Sequence, residues 1–385
     1  MFDKTIEKEV EKIKNEIIEW RRFFHMYPEL GFEEFKTSEK IQEVLKDIGI
    51  NYEVKGKTGV VGYINKGAKI TIGIRADMDA LPIKEETNLD FSSRNEGIMH
   101  ACGHDGHMAT LLGIAKILSK FLNYLKCNVK FIFQPCEEKP PGGAFAIIKD
   151  KVLEDVNYMI GFHFYPLIPL YKIYIEKGTV MANTDRFKLI IEGKGGHASS
   201  PHLTNDPIVC SSYIINAIQT IISRKLNIIE NPAVISICKI NGGEAFNIIP
   251  EKVEIEGTVR TLSEKTRNII KKEMRNMTQK VASSFNCKTK LVYECYSPSV
   301  KNDSKLTEMI ERISRKILPK KYFYKYHPIM GGEDFAFYSK IVPSVYIFIG
   351  IGKKCGVNHS SKFTIDERIL PFSVKYFSQL ILNFV

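Results

Sequence analysis

What this chain lacks narrows its identity first. No apolar run in its 385 residues approaches the ~18 needed to cross a bilayer, so a membrane-spanning role is not expected. Its eight cysteines (Cys102, Cys127, Cys136, Cys210, Cys238, Cys287, Cys295, Cys355) show no framework spacing, which reads as reduced thiols and not a disulfide scaffold. Met1 to Trp20 alternates Lys and Glu with Val10, Ile13, Ile17 and Trp20, an amphipathic helix without the apolar core of a signal peptide. A cytoplasmic protein is therefore expected. Zinc-finger spacing is missing, and so is any Arg/Lys stripe interleaved with aromatics. The net charge of +11 then reads as a basic solvated surface, able to draw small anionic substrates, with no nucleic-acid partner. No repeat or low-complexity segment stands out.

Histidine is also scarce, nine in all, yet His100, His104 and His107 fall within eight positions of one another. The run Met99-His-Ala-Cys-Gly-His-Asp-Gly-His-Met108 adds Cys102 and Asp105. Thiolate and imidazole are ligands that borderline divalent metals prefer, and glycine lets the backbone bring them close. Helix propensity and core packing call for no such mixture. The stretch reads as part of a metal site whose other ligands lie elsewhere.

The length suggests two domains. Strand-like runs at Ile70–Ile74, Val129–Phe133, Tyr158–Phe162 and Ser344–Ile349 alternate with helical patterns such as Met108–Tyr124 and Ala144–Val152. This βαβ series predicts an α/β domain with a mostly parallel sheet over residues 1–178 and 297–385. Between them, 179–296 reads strand–helix–strand–strand–helix–strand: Phe187–Glu192, Ile208–Ser223, Val234–Ile240, Lys252–Arg260, Glu264–Ser284, Lys288–Tyr293. That order is the one of an inserted ferredoxin-like α+β unit.

Asp77, Asp79, Glu137, Glu138, His163 and His359 all follow apolar strands, and ligands of open α/β sheets bind beyond the carboxyl ends of strands. Cys102 and His104, two apart, suit a loop ahead of the Met108 helix. Glu137 and Glu138, leaving a strand, are expected to point to opposite sides, one to a metal and the other to substrate as general base and acid. Asp77 and Asp79 are expected to face one way. For His100 and His107 the ordinary reading is hydrogen bonding behind the ligands or helix packing. His163, between aromatics, reads by itself more as a packed core histidine than as a ligand. His197 sits in a Gly-rich turn, Arg260 ends a strand and suits a carboxylate, and Asn247 either donates to substrate or shapes a turn.

Arg75–Ile83 (Arg-Ala-Asp-Met-Asp-Ala-Leu-Pro-Ile), Met99–His107, Gln134–Glu138 (Gln-Pro-Cys-Glu-Glu), Gly193–Ala198, His25–Glu34 and Met330–Phe337 resemble the M20 metallopeptidase group, nearly end to end. The closer resemblance is to its N-acyl amino acid amidohydrolase branch, with aminoacylase-like, hippurate and auxin-conjugate hydrolases. The resemblance implies a metal-dependent hydrolase holding two divalent ions, zinc or manganese, with cobalt or nickel as alternatives. It implies that Cys102 bridges them, with His104 and His163 at one and Glu138 and His359 at the other. It further implies Glu137 as general base and acid, Asp79 as support for a ligand histidine or the site's charge, and His197 as oxyanion stabiliser from the lid. Asn247 and Arg260 would hold a small N-acyl amino acid, and the lid would build a homodimer. Cys136 departs from the alanine more usual there. N-acetyl-diaminopimelate deacetylase, dipeptidase and aminopeptidase activities stay open within the group. Outside it stand a cysteine hydrolase using Cys102, which would need no metal, and a non-catalytic peptide-binding relative.

Overall fold

The structure, a computed structural model, describes residues 3–384. They form two compact units: one runs through Gly178 and adds Lys301–His327 and the chain from Asp334, the other comprises Thr179–Val300 and Pro328–Glu333.

The first unit is built on a seven-stranded sheet in the order Asn51–Lys55, Gly59–Ile64, Asn128–Gln134, Thr71–Asp77, Tyr158–Tyr165, Ser344–Gly350, Ile173–Tyr174. Its four central strands, Asn128–Gln134 through Ser344–Gly350, run parallel. They read as near-continuous apolar runs because both faces are covered. Along Ser344–Gly350, Val345, Ile347 and Ile349 join the main core, whereas Tyr346 meets the Phe335 ring from the opposite side. The edges of this mostly parallel sheet are antiparallel. The first two strands pair antiparallel, as do Gly59–Ile64 with Asn128–Gln134 and the short Ile173–Tyr174 with Ser344–Gly350. The outermost strand is largely exposed and carries no apolar alternation, so periodicity could not show it.

Helices Asp3–Met26, His104–Lys120 and Ile369–Leu382 pack on one another, and His104–Lys120 lies against the central strands. The amphipathic pattern expected from Met1 to Trp20 is helical from Asp3 and continues to Met26; Met1 and Phe2 lie outside the described residues. The helix expected from Met108 starts at His104, with Gly103 before it at φ 91°, a conformation natural to glycine. His104 is thus the first helical residue, where an amide needs no intrahelical partner. Because the central strands are parallel, Asp77, Gln134, His163 and Gly350 all come to one edge of the sheet.

In the second unit a four-stranded antiparallel sheet runs Ala233–Gly242, Lys252–Thr261, Asn183–Glu192, Lys288–Ser297. Helices Pro207–Lys225 and Glu264–Ser284 cover one face, burying Ile214, Ile218, Ile270 and Met274 against Phe187, Leu189, Ile255 and Val259. Both helices have side-chain caps, from Asp206 and Ser263. The chain stays in this unit past 296: Val180 N donates to Val300 O at 2.9 Å. It also returns at Pro328–Glu333, where Ile329 N reaches Val180 O and Ala182 N reaches Gly331 O. Such backbone pairing carries no residue-type signal, which is why the sequence reading drew the boundary at 296 and missed the return.

Candidate metal centre

Five side chains of the first unit converge at the carboxyl edge of its sheet. Ligand atoms of Cys102, His104 and His163 lie within 4.8 Å of one another, and so do those of Cys102, Glu138 and His359. Cys102 is common to both groups, with its Sγ 3.4 Å from His163 Nε2. His359 Nε2 lies 3.2 Å from Glu138 Oε1. The loop that brings His359 is tied down where His359 N donates to Ala101 O at 2.8 Å. Asn358 Nδ2 reaches the Cys102 sulfur at 3.5 Å.

Which ring nitrogen is engaged decides what each histidine can do. His104 Nδ1 is 2.8 Å from the Asp79 carbonyl oxygen, and His163 Nδ1 is 2.7 Å from that of Phe164. A carbonyl only accepts, so each Nδ1 carries a proton and Nε2 is the nitrogen each ring has left for a metal. His107 is arranged the other way. Its Nε2 accepts from Phe164 N at 3.0 Å and its Nδ1 donates to Asp77 Oδ1 at 2.6 Å, so neither nitrogen is left for a metal. His100 is buried in the core, which pushes its pKa down to about 3 and keeps it neutral.

The residues present fit divalent ions. His104 Nε2 is buried without a hydrogen-bond partner among the described residues, and buried Glu138 Oε1 has the His359 ring nitrogen at 3.2 Å beside it, a costly arrangement unless a cation is the partner. Thiolate sulfur, imidazole nitrogen and carboxylate oxygen together suit a borderline metal such as zinc and admit manganese. Charge points the same way. Burial and the neighbouring Glu138 push the Cys102 thiol up, and contacts with Cys102 and then Glu138 raise His359 to about 10. These are protons that a bound cation displaces.

Behind the ligands lies a second, self-satisfied network. Fully buried Arg75 donates to Asp77 Oδ2 at 2.7 Å, Gln134 Oε1 at 2.9 Å and Asp334 Oδ1 at 3.0 Å. Asp334 also accepts from Gln134 Nε2 and from Ala144 N at 2.9 Å. His104, Arg75 and His107 hold the Asp77 carboxylate well below its usual range despite its burial. Arg75, Gln134, Asp334 and Asn358 escaped the sequence reading. For Arg75 a signal existed: a charged residue inside an apolar strand, two positions before Asp77 and so on the same face.

Asp79 does more than expected. Its Oδ1 accepts from Glu137 N at 2.9 Å and its Oδ2 from Glu138 N at 3.0 Å, while Oδ1 stands 3.4 Å from His104 Nδ1. Strand alternation does not aim Glu137 and Glu138. The strand ends at Gln134, and Cys136 at φ 49° turns the chain so that both carboxylates come within 4.8 Å of the His104 ring nitrogen. Asp77 and Asp79 both approach the His104 ring, at 3.6 Å and 3.4 Å.

His197, Asn247 and Arg260 belong to the second unit. His197 pairs with Ile248 in a short two-stranded ribbon, and Ala198 N donates to Asn247 O at 3.0 Å, so His197 and Asn247 are neighbours. Arg260 is half-buried and donates to Thr258 Oγ1.

Unclaimed ligand atoms of mixed softness at the carboxyl edge of an α/β sheet define the class: a metallohydrolase scaffold. The chain belongs to the Peptidase family M20/M25/M40, whose model matches residues 73–383. It is 39% identical to thermostable carboxypeptidase 1 of Saccharolobus solfataricus, over 97% of this chain and 98% of that one. It is 35% identical to the hippurate hydrolase of Campylobacter jejuni, over 99% and 97%. Among solved structures it is similar to the Bacillus subtilis YXEP protein, described as a dinuclear metal-binding peptidase of family M20. That likeness has TM-score 0.85 and 34% identity, covering 97% of this chain and 98% of that one. The chain is thus a metal-dependent hydrolase acting on amide bonds, of a dinuclear metal-binding family. No helix among the described residues is long and apolar enough to cross a membrane.

Proposed function

We propose that the chain hydrolyses the amide bond of N-acyl amino acids, releasing a carboxylic acid and a free amino acid. The observation that carries the reading is the tautomer pattern: two imidazoles with Nδ1 fixed on carbonyls present Nε2 to a shared thiol, beside Glu137 and Glu138. In this reading Cys102, shared between both groups, would hold divalent ions together with His104 and His163 on one side and Glu138 and His359 on the other. The ions, when bound, supply Lewis acidity that brings a water near neutrality and polarises the scissile carbonyl. Glu137 takes the proton of the attacking water and returns it to the departing nitrogen. Asp79 holds the turn that aims Glu137 and steadies His104.

The second unit is read as an inserted ferredoxin-like lid that also mediates a homodimer. His197 suits an oxyanion donor. Its Nδ1 accepts from Ser199 N at 3.1 Å, which leaves Nε2 carrying the proton on an exposed ring. Asn247 and Arg260 would hold the substrate, Arg260 its carboxylate. The edge strand Ala233–Gly242 exposes Val234 and Ile240, and helix Pro207–Lys225 exposes Ile208, Val209 and Tyr213, apolar side chains that a second copy would cover. Carboxypeptidase and hippurate hydrolase relatives differ in what they cleave, so the acyl group and amino acid are set by assay. The test is a panel of N-acetyl, N-benzoyl and longer N-acyl amino acids and dipeptides with the metal-reconstituted protein, following amine release. Glu137→Gln is expected to keep its metal and lose about 10²–10⁴-fold in kcat; full turnover would remove the proposed base. His197→Ala is expected to lose about 10²–10³-fold at unchanged metal content.

A further inference from the structure

The turn that carries Glu137 and Glu138 is gripped by a second carboxylate, from a segment ahead of the region the family model matches. Cys136 N donates to Glu34 Oε1 at 2.8 Å, Glu137 N to Asp79 Oδ1 at 2.9 Å and Glu138 N to Asp79 Oδ2 at 3.0 Å. Three successive amides thus donate to two carboxylates, as amides do where a residue in the left-handed region makes an anion-binding concavity, and Cys136 at φ 49° is that residue. We infer that Glu34 is a positioning residue for the catalytic pair: with Asp79, its carboxylate anchors the backbone from which Glu137 and Glu138 project.

Other duties for Glu34 are already filled. It stands at the N-cap of helix Phe35–Asp47, yet its side chain makes no cap bond. Glu29 does that work, accepting from Lys36 N at 3.1 Å and Thr37 N at 2.8 Å. Glu34 is wholly buried, and no lysine or arginine pairs with it among the described residues; its second oxygen accepts from Thr58 Oγ1. A carboxyl in such surroundings is costly to keep, and burial, with Asp79 nearby, raises it to about 7. The segment that bears it is pressed onto the turn. A Cβ on Gly31 would meet Cys136 Sγ at 2.6 Å, and Ala80 N donates to Glu29 O at 2.8 Å beside Asp79. Glu34 touches neither substrate nor metal ligand; it acts through the backbone of its neighbours.

The inference rests on Glu137 being the general base, and the test separates the two claims. Full-length wild type, Glu34→Met (similar volume, no acceptor), Glu34→Asp (carboxylate one methylene short), Glu34→Gln (acceptor kept) and Glu137→Gln are compared on one N-acyl amino acid. Metal content and amide hydrogen exchange at 136–138 before metal addition are measured alongside. Glu34→Met and Glu34→Asp are expected to lose about 10–100-fold in kcat, since small misplacements carry that scale. KM should stay within about twofold and metal content unchanged, with exchange at 136–138 at least about tenfold faster. Glu34→Gln should restore kcat to within about fivefold. Should Glu34→Met not fold, Glu34→Asp decides on the same readings. Wild-type kcat in Glu34→Asp or Glu34→Met, unchanged exchange, or Glu34→Gln as damaged as Glu34→Met overturns the inference. An active Glu137→Gln instead overturns the reading of the base on which it rests.

Discussion

His104 and His107 lie one helical turn apart with ring centroids separated by 5.5 Å, and the regions they serve behave in opposite ways. In front, around His104, the polar atoms are poorly satisfied: His104 Nε2 is buried without a hydrogen-bond partner among the described residues, and Glu138 Oε1 has the His359 ring nitrogen beside it. Behind, around His107, the same residue types satisfy one another, from Phe164 N through His107 and Asp77 to Arg75, Gln134 and Asp334. The difference is not burial, since both imidazoles are buried. It lies in the partner of the other nitrogen: a carbonyl frees Nε2 for a cation, whereas an amide N–H claims it. A cluster rich in histidine and carboxylate is thus part ligand set and part scaffold, and the scaffold keeps the ligand set incomplete until a metal arrives.

Breaking the front region is expected to have the largest effect. His163→Phe should remove one ligand group around Cys102, so metal content per chain falls from about two to about one. Turnover should drop by at least about 10³-fold, the scale of a lost electrostatic catalyst. Two retained metals, by elemental analysis, would sink the proposed assignment of His163. Breaking the back region should do less to chemistry and more to stability. His107→Phe leaves the Asp77 carboxylate and Phe164 N short of a partner, at a cost of about 2 kcal/mol in chemical unfolding. Metal content should stay near two, with affinity or activity reduced about 10–100-fold, as is usual for residues that orient ligands. A loss of stoichiometry equal to that of His163→Phe would erase the distinction between the regions.

That distinction was only half legible in the sequence. Residue types point to a metal chiefly through Cys102 and His104, because neither core packing nor helix propensity calls for that mixture; Glu138 and His359 enter through their places after apolar strands and through the family resemblance. The parallel order of the central strands followed from apolar runs alternating with helices, and it places His163 and Glu138 on one edge. What residue types could not tell is which nitrogen is tied, because the deciding partners are Asp79 O, Phe164 O and Phe164 N, backbone atoms that any sequence supplies. The aim of Glu137 was missed for a related reason. Strand alternation was assumed to continue past Gln134, whereas Cys136 leaves the strand conformation and Asp79 and Glu34 fix the result. Long-range polar anchoring of a turn has no periodicity to read.

The smallest expected effects sharpen the same comparison between a carboxyl left costly and one made comfortable. Glu85, part-buried, is lowered from 4.5 to about 2: desolvation raises it, but the contacts with His25 Nε2 at 3.0 Å, Thr87 Oγ1 and Ser93 N together outweigh that. A lowered carboxyl contributes stability that is present above the unfolded value near 4.5 and is lost as pH falls through about 2. Glu85→Gln should therefore cost about 1–2 kcal/mol at pH 7 and little at pH 2. Glu34 has the opposite sign. Its folded value, about 7, lies above the unfolded one, so its favourable contribution exists at acid pH and disappears as pH rises through 7. Glu34→Gln should then be near neutral at pH 4.5 and stabilising by about 2–3 kcal/mol at pH 8. Thermal unfolding of both variants across this range checks the signs. If Glu34→Gln instead lost stability as pH rose, Glu34 would be held by a partner that favours its charge, and its burial would no longer argue that the fold keeps it for the sake of the turn it grips.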